Sequence, residues 1–236
     1  MMLSVIMPVY NEVDTVWEAV RRVQGMDVVK EVIVIDDGST DGSREILNRL
    51  EAETRKDNDP PNELKVIYQP VNQGKGAAIR SAIPQATGDM IIIQDADLEY
   101  DPQDYKSLLD PILSGKADVV FGTRFYGGGP HRVLFFWHYL GNQILTLFSN
   151  LLTNLNLSDM EVGYKAFRAE ILKSIRIKSN RFGFEPEITI KIAKKGLRVY
   201  EVPISYYGRT YKEGKKITWK DGIAAFYFLL RFRLKD

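Results

Sequence analysis

The chain has 236 residues, of which 44% are hydrophobic and 27% are charged, which is enough to bury a core in one large domain. Its formal net charge of +1 gives no overall electrostatic basis for binding nucleic acid. Cysteine is absent, which excludes disulfides, thiolate metal sites and a cysteine nucleophile, and the two histidines, His131 and His138, are too few for a histidine-rich metal site.

Apolar runs and helical patterns alternate along the first half of the chain. The N-terminal segment lacks the basic and long apolar stretches of a signal peptide, so it predicts a first strand. Strands are predicted at residues 3–8, 31–35, 65–68, 90–94 and 118–122, and helices at residues 12–23, 42–53, 74–86 and 102–113. Because the strands are continuous apolar runs, they favour a parallel sheet covered on both faces.

Polar clusters follow four of these strands, at residues 8–12, 36–41, 95–99 and 122–124. Since ligands bind at the carboxyl ends of strands in such sheets, the clusters predict one site at that edge. No G-x-G-x-x-G follows the first strand and no G-x-x-x-x-G-K-[ST] occurs, which argues against a dinucleotide site and a P-loop.

The fourth strand runs directly into Asp95-Ala96-Asp97. Two carboxylates this close to a buried strand are costly unless a positive charge lies between them. A hard divalent cation such as Mg²⁺ or Mn²⁺ supplies that charge and binds carboxylate and phosphate oxygens. The alternative is that Asp97 or Asp101 only caps the helix predicted from residue 102.

Residues 133–158 contain no formally charged side chain. The stretch is long enough to span a membrane, but one glycine and several amides interrupt it, so two amphipathic helices at the bilayer surface fit better. The alternative is a pair of core helices. In the first case the anchors are Phe135, Phe136, Trp137 and Tyr139.

The last third of the chain adds further predicted elements. A helix is expected at residues 186–195, where Glu185 and Glu187 either touch substrate or favour the helix N-terminus. Residues 198–206 predict a strand at a sheet edge, since proline is tolerated there. The apolar helix at residues 223–230 is bracketed by lysine and arginine, which suits an anionic membrane surface.

Several segments together resemble glycosyltransferase family two: PVYNE (8–12), VIDDGSTDGS (34–43), NQGKGAAIRSA (72–82), QDADLEYDP (94–102) and GTRF (122–125). DMEVGYKAF (159–167) and RTYKEGKKI (209–217) resemble its polyprenyl-phosphate branch, the dolichol-phosphate mannose synthase type. The resemblance implies an α/β fold of GT-A type, a Rossmann-like, mostly parallel sheet flanked by helices, with amphipathic interfacial helices. Residues 1–130 are then the nucleotide-sugar-binding core, and residues 131–236 the part of the same domain that faces acceptor and lipid.

The resemblance also implies a role for individual residues. Those assigned to the nucleotide are Pro8, Tyr10, Glu12, Asp36, Asp37, Lys75, Asp95 and Ala96. The metal ligands are Asp95, Asp97 and Glu99, and the acceptor phosphate is assigned to His131 and Arg132. The catalytic group is Asp97, Arg124, Asp159, Arg209 and Lys215.

Simpler interpretations exist for some of these residues. For Arg124, Arg209 and Lys215 the alternative is an ordinary solvated surface charge. For Asp159 the alternative is a helix cap or a structural ion pair with Lys165 or Arg168.

The implied reaction is the metal-dependent, inverting transfer of a hexose from a nucleotide-sugar of GDP-mannose or UDP-glucose type to a polyprenyl or dolichyl phosphate. The expected cofactor is Mg²⁺ or Mn²⁺. The expected setting is the cytoplasmic face of a membrane, bound peripherally or docked on a membrane-spanning partner subunit, with no nucleic acid involved. Two alternatives remain: transfer to a glycan or protein hydroxyl, which needs a general base, and a non-catalytic subunit that binds nucleotide-sugar.

Overall fold

The computed structural model describes residues 2–56, 63–126, 132–133, 135–210, 213–214 and 219–235. Its strands are β1 (Leu3–Val9), β2 (Val29–Asp36), β3 (Glu63–Tyr68), β4 (Met90–Ile93), β5 (Val119–Thr123), β6 (Lys165–Arg168) and β7 (Val199–Pro203). Its helices are α1 (Val16–Gln24), α2 (Ser43–Lys56), α3 (Lys75–Ala82), α4 (Tyr105–Leu113), α5 (Phe136–Thr153), α6 (Ala169–Lys173), α7 (Phe184–Lys194) and α8 (Trp219–Leu234). Short 3₁₀ turns lie at Ile83–Gln85 and Pro102–Asp104.

The strands form one seven-stranded sheet in the order β3-β2-β1-β4-β6-β5-β7. Every neighbouring pair is parallel except those that β6 makes with β4 and β5. The predicted mostly parallel sheet is therefore confirmed, and β7 lies at its edge as its proline suggested. The predicted division at residue 130 stays a prediction.

Burial follows the sequence pattern. Val5, Ile33 and Ile92 are fully buried in the central strands, as expected where helices cover both faces of a parallel sheet. In α1, Val16 and Val20 are one turn apart and are fully buried against the same core.

The sequence did not predict β6. Its four residues, KAFR, begin and end with a basic residue and are too few to show a strand period. Only pairing on both sides makes the segment a strand: Ala166 is paired with Ile92 of β4 and with Val120 of β5. This insertion brings the segment 159–164, which carries Asp159 and Glu161 and precedes β6, beside the carboxyl end of β4.

The pair of helices predicted within residues 133–158 was wrong, because the structure has one continuous helix, α5. It ends at Asn154, whose left-handed φ of 58° closes the helix. Its inner face packs with α7 and α8 around a small second core that includes Leu145, Ile190 and Leu229. Within the described residues, no helix combines the length and the apolar character needed to cross a bilayer.

Candidate active site

The polar ends of β1, β2, β4 and β5 lie along the carboxyl edge of the sheet, as predicted. Val9 is paired with Asp36 in the register of β1 and β2, and the backbone N–H of Asp37 donates to the Val9 carbonyl at 2.8 Å. The segment after β7 returns across this edge, where Tyr206 forms a single β-bridge with Tyr100. The edge therefore carries side chains from both halves of the chain.

Arg209 lies among three carboxylates. Its guanidinium donates to Glu12 at 3.0 and 3.1 Å and to Asp97 at 3.2 Å, and its backbone N–H donates to Glu99 at 2.7 Å. The Tyr206 hydroxyl donates to the other Glu99 oxygen at 3.1 Å. Arg209 is thus no solvated surface charge, and the structure brings it together with three of the predicted acids.

Burial and the charges of Asp95 and Glu99 raise the pKa of Asp97 to about 7, although Arg209 opposes the shift. Arg209 therefore does not fully compensate the negative charge of ionised Asp97. Carboxylate oxygens whose charge is not compensated suit a hard cation.

The predicted set of three metal-binding carboxylates does not converge, however. No group of three His, Asp or Glu side chains within the described ranges is arranged to hold a metal. Asp95 instead forms an ion pair with Lys75, whereas Glu99 accepts hydrogen bonds from the Arg209 backbone and the Tyr206 hydroxyl.

Lys75 bridges two acids near the start of α3. Its Nζ lies 2.9 Å from Asp95 Oδ1 and 2.9 Å from Glu185 Oε1 on α7. Burial alone lowers the pKa of a lysine, but here the two carboxylates outweigh it and raise the pKa of Lys75 above its usual value, so the ammonium stays charged. Glu185 lies in the first turn of α7, as the helix N-terminus favours, and its pairing with Lys75 leaves contact with substrate a prediction. Glu187 instead accepts the backbone N–H groups of Lys178 and Ser179 at 2.7 Å each.

Arg124 and Asp159 form a buried, bidentate ion pair. The Arg124 Nε donates to Asp159 Oδ2 at 2.6 Å and its Nη2 to Oδ1 at 2.7 Å. The Arg124 backbone N–H and the Asn142 amide add two more donors, at 3.1 and 3.0 Å. The Asp159 side chain is fully buried and that of Arg124 is 17% exposed. Although burial opposes ionisation, these donors hold the pKa of Asp159 below its usual value. The alternative partners Lys165 and Arg168 point elsewhere, to backbone carbonyls and to Asp118.

The two aspartates after β2 are engaged within the protein. Asp36 is fully buried and accepts two hydrogen bonds from Arg44 at 2.9 and 2.6 Å. Asp37 accepts the backbone N–H groups of Gln73 at 2.8 Å and Gly74 at 2.7 Å. The assignment of Asp36 to the nucleotide stays a prediction; in the structure its carboxylate is paired with Arg44, a residue that the sequence motifs did not point to.

The remaining predicted residues divide into two groups. Tyr10 is exposed at the same edge, Pro8 lies half-buried within β1, and Ala96 is buried between the two aspartates. The Arg132 side chain bonds Glu213 at 2.8 Å and the Gly208 carbonyl at 3.2 Å, in the segment that crosses this edge, and its assignment to the acceptor phosphate stays a prediction. His131 and Lys215 lie outside the described residues.

The arrangement of strands and helices recurs in solved enzymes. Glucosyl-3-phosphoglycerate synthase from Mycobacterium tuberculosis, solved with Mn²⁺, UDP and glucosyl-3-phosphoglycerate, matches with a TM-score of 0.73 at 20% identity, over 99% of this chain and 78% of that one. The same enzyme has been solved with Mn²⁺ and UDP-glucose, with a TM-score of 0.72. This likeness defines the fold as that of a GT-A-type glycosyltransferase.

Sequence comparison gives the family. A model described as glycosyl transferase family 2 matches residues 4–176, and the chain belongs to that family. An undecaprenyl-phosphate mannosyltransferase of Micrococcus luteus is 30% identical over 91% of this chain and 87% of its own length. A polyprenol monophosphomannose synthase of Mycolicibacterium smegmatis is 28% identical over 87% of this chain and 77% of its own length. The protein is therefore a glycosyltransferase, as the sequence motifs predicted.

Proposed function

We propose that this enzyme transfers a hexose from a nucleotide-sugar, of GDP-mannose or UDP-glucose type, to a polyprenyl phosphate with inversion at the anomeric carbon. The names of the two relatives support the acceptor class. The observation that carries the proposal is a row of three buried or half-buried cations at one sheet edge, Lys75, Arg124 and Arg209, each held by carboxylates. Such a row suits a reaction in which one phosphate group departs and another attacks.

On the donor side, we assign the nucleotide to the ends of β1 and β2. Tyr10 is exposed there, and Asp37 fixes the turn at Gln73 and Gly74 that precedes Lys75. We assign Lys75 and Arg209 to the diphosphate oxygens, since both side chains stay protonated beside their carboxylates. Asp36 contributes indirectly by holding Arg44.

A divalent cation fits the oxygen donors of Asp95 and Asp97, which would hold it together with diphosphate oxygens. When bound, it supplies positive charge that stabilises the departing nucleoside diphosphate. Glu99 is assigned to Arg209 and Tyr206, with which it is bonded, and not to the metal.

The acceptor side favours a phosphate over a hydroxyl. A hydroxyl acceptor needs a general base, and Asp159 is poorly suited because its pKa is lowered and its oxygens accept hydrogen bonds from Arg124 and Asn142. A lipid phosphate is already an anion at neutral pH and needs a cation to position it. Arg124, oriented by Asp159, is the group we assign to that task.

We also propose that the enzyme binds peripherally to the cytoplasmic face of a membrane. The helices α5 and α8, which lie next to each other, each expose a stripe of apolar side chains: Phe136, Trp137, Leu140, Ile144, Leu147 and Leu151 on α5, and Ile223, Tyr227, Leu230 and Leu234 on α8. Exposed basic residues flank the second stripe at Lys220, Arg231, Arg233 and Lys235. Apolar stripes bordered by basic side chains suit an anionic bilayer surface.

The test of the reaction is label transfer from radiolabelled GDP-mannose, UDP-glucose and related donors to undecaprenyl phosphate, with Mg²⁺, with Mn²⁺ and with a chelator. We expect metal-dependent label in the organic phase and an inverted anomeric linkage in the product. Label found only on a water-soluble acceptor would contradict the lipid acceptor. Nucleotide-sugar binding without turnover under any of these conditions would revive the non-catalytic alternative.

Membrane docking predicts that charge on the α5 stripe weakens binding to vesicles. Trp137 and Leu151 are each 75% exposed, so replacing both by glutamate should leave folding unchanged while reducing co-flotation with phosphatidylglycerol-containing vesicles by about tenfold or more. The matched control is Leu113→Glu, at the end of α4, where a 48% exposed apolar side chain lies away from both stripes. Equal flotation of both variants would exclude this face as the docking surface.

A further inference from the structure

Glu161 is a carboxyl group that has no part in the reaction proposed above. The backbone on both sides of it is fixed. The Met160 N–H donates to Thr146 Oγ1 at 3.1 Å, and the Gly163 N–H donates to the Tyr100 hydroxyl at 2.9 Å. A side chain at position 163 would meet Asp95, since an added Cβ would lie 2.4 Å from Asp95 Oδ2. The segment that carries Glu161 is therefore held against the carboxyl end of β4.

The Glu161 carboxyl does not satisfy its own hydrogen-bonding capacity. Its Oε1 is buried and accepts no hydrogen bond from any part of the chain that the structure describes, while the residue as a whole remains partly exposed. Glu187 shows the contrast, because both of its oxygens accept backbone N–H groups and so hold a turn. A buried oxygen that accepts no hydrogen bond lowers the stability of the folded protein. Binding of a ligand by that oxygen would explain why such a group is present.

Four charged groups interact electrostatically with Glu161. They are Glu185 (which holds Lys75), Lys165 of β6, and the ion pair of Arg124 with Asp159. Burial first, and then the carboxylate of Glu185, raise the pKa of Glu161 to about 8 against the opposing effect of Lys165 and Arg124. At neutral pH the group is therefore mostly a neutral acid that both donates and accepts hydrogen bonds.

We propose that Glu161 binds hydroxyl groups of the hexose during transfer and so helps to determine which sugar the enzyme accepts. The inference rests on the proposed function. In a single displacement the sugar lies between the departing diphosphate and the attacking phosphate. Glu161 interacts electrostatically with a group on each side of the reaction: with Glu185, which holds Lys75, and with Arg124. A phosphate is disfavoured at Glu161 itself because two further carboxylates, Asp159 and Glu185, face it, whereas a neutral hydroxyl brings no charge.

The test compares the full chain with Glu161→Ala and Glu161→Gln, using whichever of GDP-mannose and UDP-glucose the unaltered enzyme transfers and the monodeoxy forms of that donor. We expect Glu161→Ala to lose about thirtyfold or more in kcat/KM, because a site built to bind a hydroxyl depends strongly on that contact. One deoxy donor lacks the hydroxyl that Glu161 binds. With that donor, kcat/KM of the alanine variant should be little lower than kcat/KM of the unaltered enzyme. Glu161→Gln should retain most activity at pH 7 and lack any decline with an apparent pKa near 8.

Three further measurements separate the outcomes. Nucleoside diphosphate affinity should stay within about twofold in both variants, which shows that the site is folded. Glu170→Ala, which removes an exposed carboxylate on α6, is the matched control and should behave as the unaltered chain. If the loss from Glu161→Ala and the loss from the missing hydroxyl are additive for every deoxy donor, only the assignment of Glu161 is overturned. If the unaltered enzyme makes no lipid-linked product, the proposed function is overturned and this inference with it.

Discussion

Replacing Asp159 by asparagine is expected to lower the rate of sugar transfer by about 10³-fold and to destabilise the protein by about 3–5 kcal/mol. Asp159 is fully buried and neutralises Arg124 through two hydrogen bonds, at 2.6 and 2.7 Å. Asparagine keeps the shape but leaves a buried guanidinium without its counter-charge. Removal of one partner of such a pair costs much more than the pair itself contributes.

The matched control for this variant is Asp118→Asn. Asp118 also makes a two-point ion pair, at 2.6 and 3.0 Å with Arg198, but the arginine side chain is 54% exposed and the pair lies at the opposite end of β5. We expect only a small loss of stability and unchanged transfer, because water takes the place of the lost partner.

Transfer rates, urea unfolding and nucleoside diphosphate affinity should be measured for both variants. If Asp159→Asn transfers sugar at the normal rate, the assignment of Arg124 to the acceptor phosphate is wrong. If it abolishes transfer while stability stays unchanged, Asp159 acts on the substrate and not through Arg124.

The sheet edge was predictable because each of its motifs follows a strand that the sequence marks clearly. Continuous apolar runs place the ends of β1, β2, β4 and β5 side by side once the sheet is parallel, and the acids of Asp95-Ala96-Asp97 then lie in a site. What the sequence does not contain is the choice of partner for each charge. Whether Asp159 pairs with Arg124 or with Lys165 depends on where the chain returns between β4 and β5.

The parts that escaped prediction share this dependence on distant pairing. β6 is a strand only because β4 and β5 flank it, and the single helix α5 is fixed by its packing against α7 and α8. Glu161 lies within the motif DMEVGYKAF, yet the sequence offers no sign that its oxygen is buried without a donor. Whether a buried oxygen meets a donor depends on side chains that come from distant parts of the chain.

Replacing Asp97 by asparagine is expected to have the opposite combination of effects from Asp159→Asn: transfer lost by about 10³-fold or more, and stability unchanged or raised. Asp97 shares one guanidinium with Glu12 and Glu99, and Asp95 lies two residues away. Removing one negative charge from this group relieves repulsion, since the remaining acids keep Arg209 as their partner.

Binding of Mn²⁺, followed by electron paramagnetic resonance in the presence of GDP or UDP, gives a readout that does not depend on turnover. We expect Asp97→Asn to weaken that binding strongly and Glu99→Gln to weaken it little, because Glu99 bonds Arg209 and Tyr206 instead. Equal weakening by both substitutions would restore Glu99 to the metal. A folded Asp97→Asn protein with normal Mn²⁺ affinity would remove the cation from this pair of aspartates. Together, the two substitutions distinguish the two acids by their partners. Asp159 has a cation of its own, Arg124, and supports the fold. Asp97 shares Arg209 with other acids, and it is retained at a cost to stability because the reaction needs it.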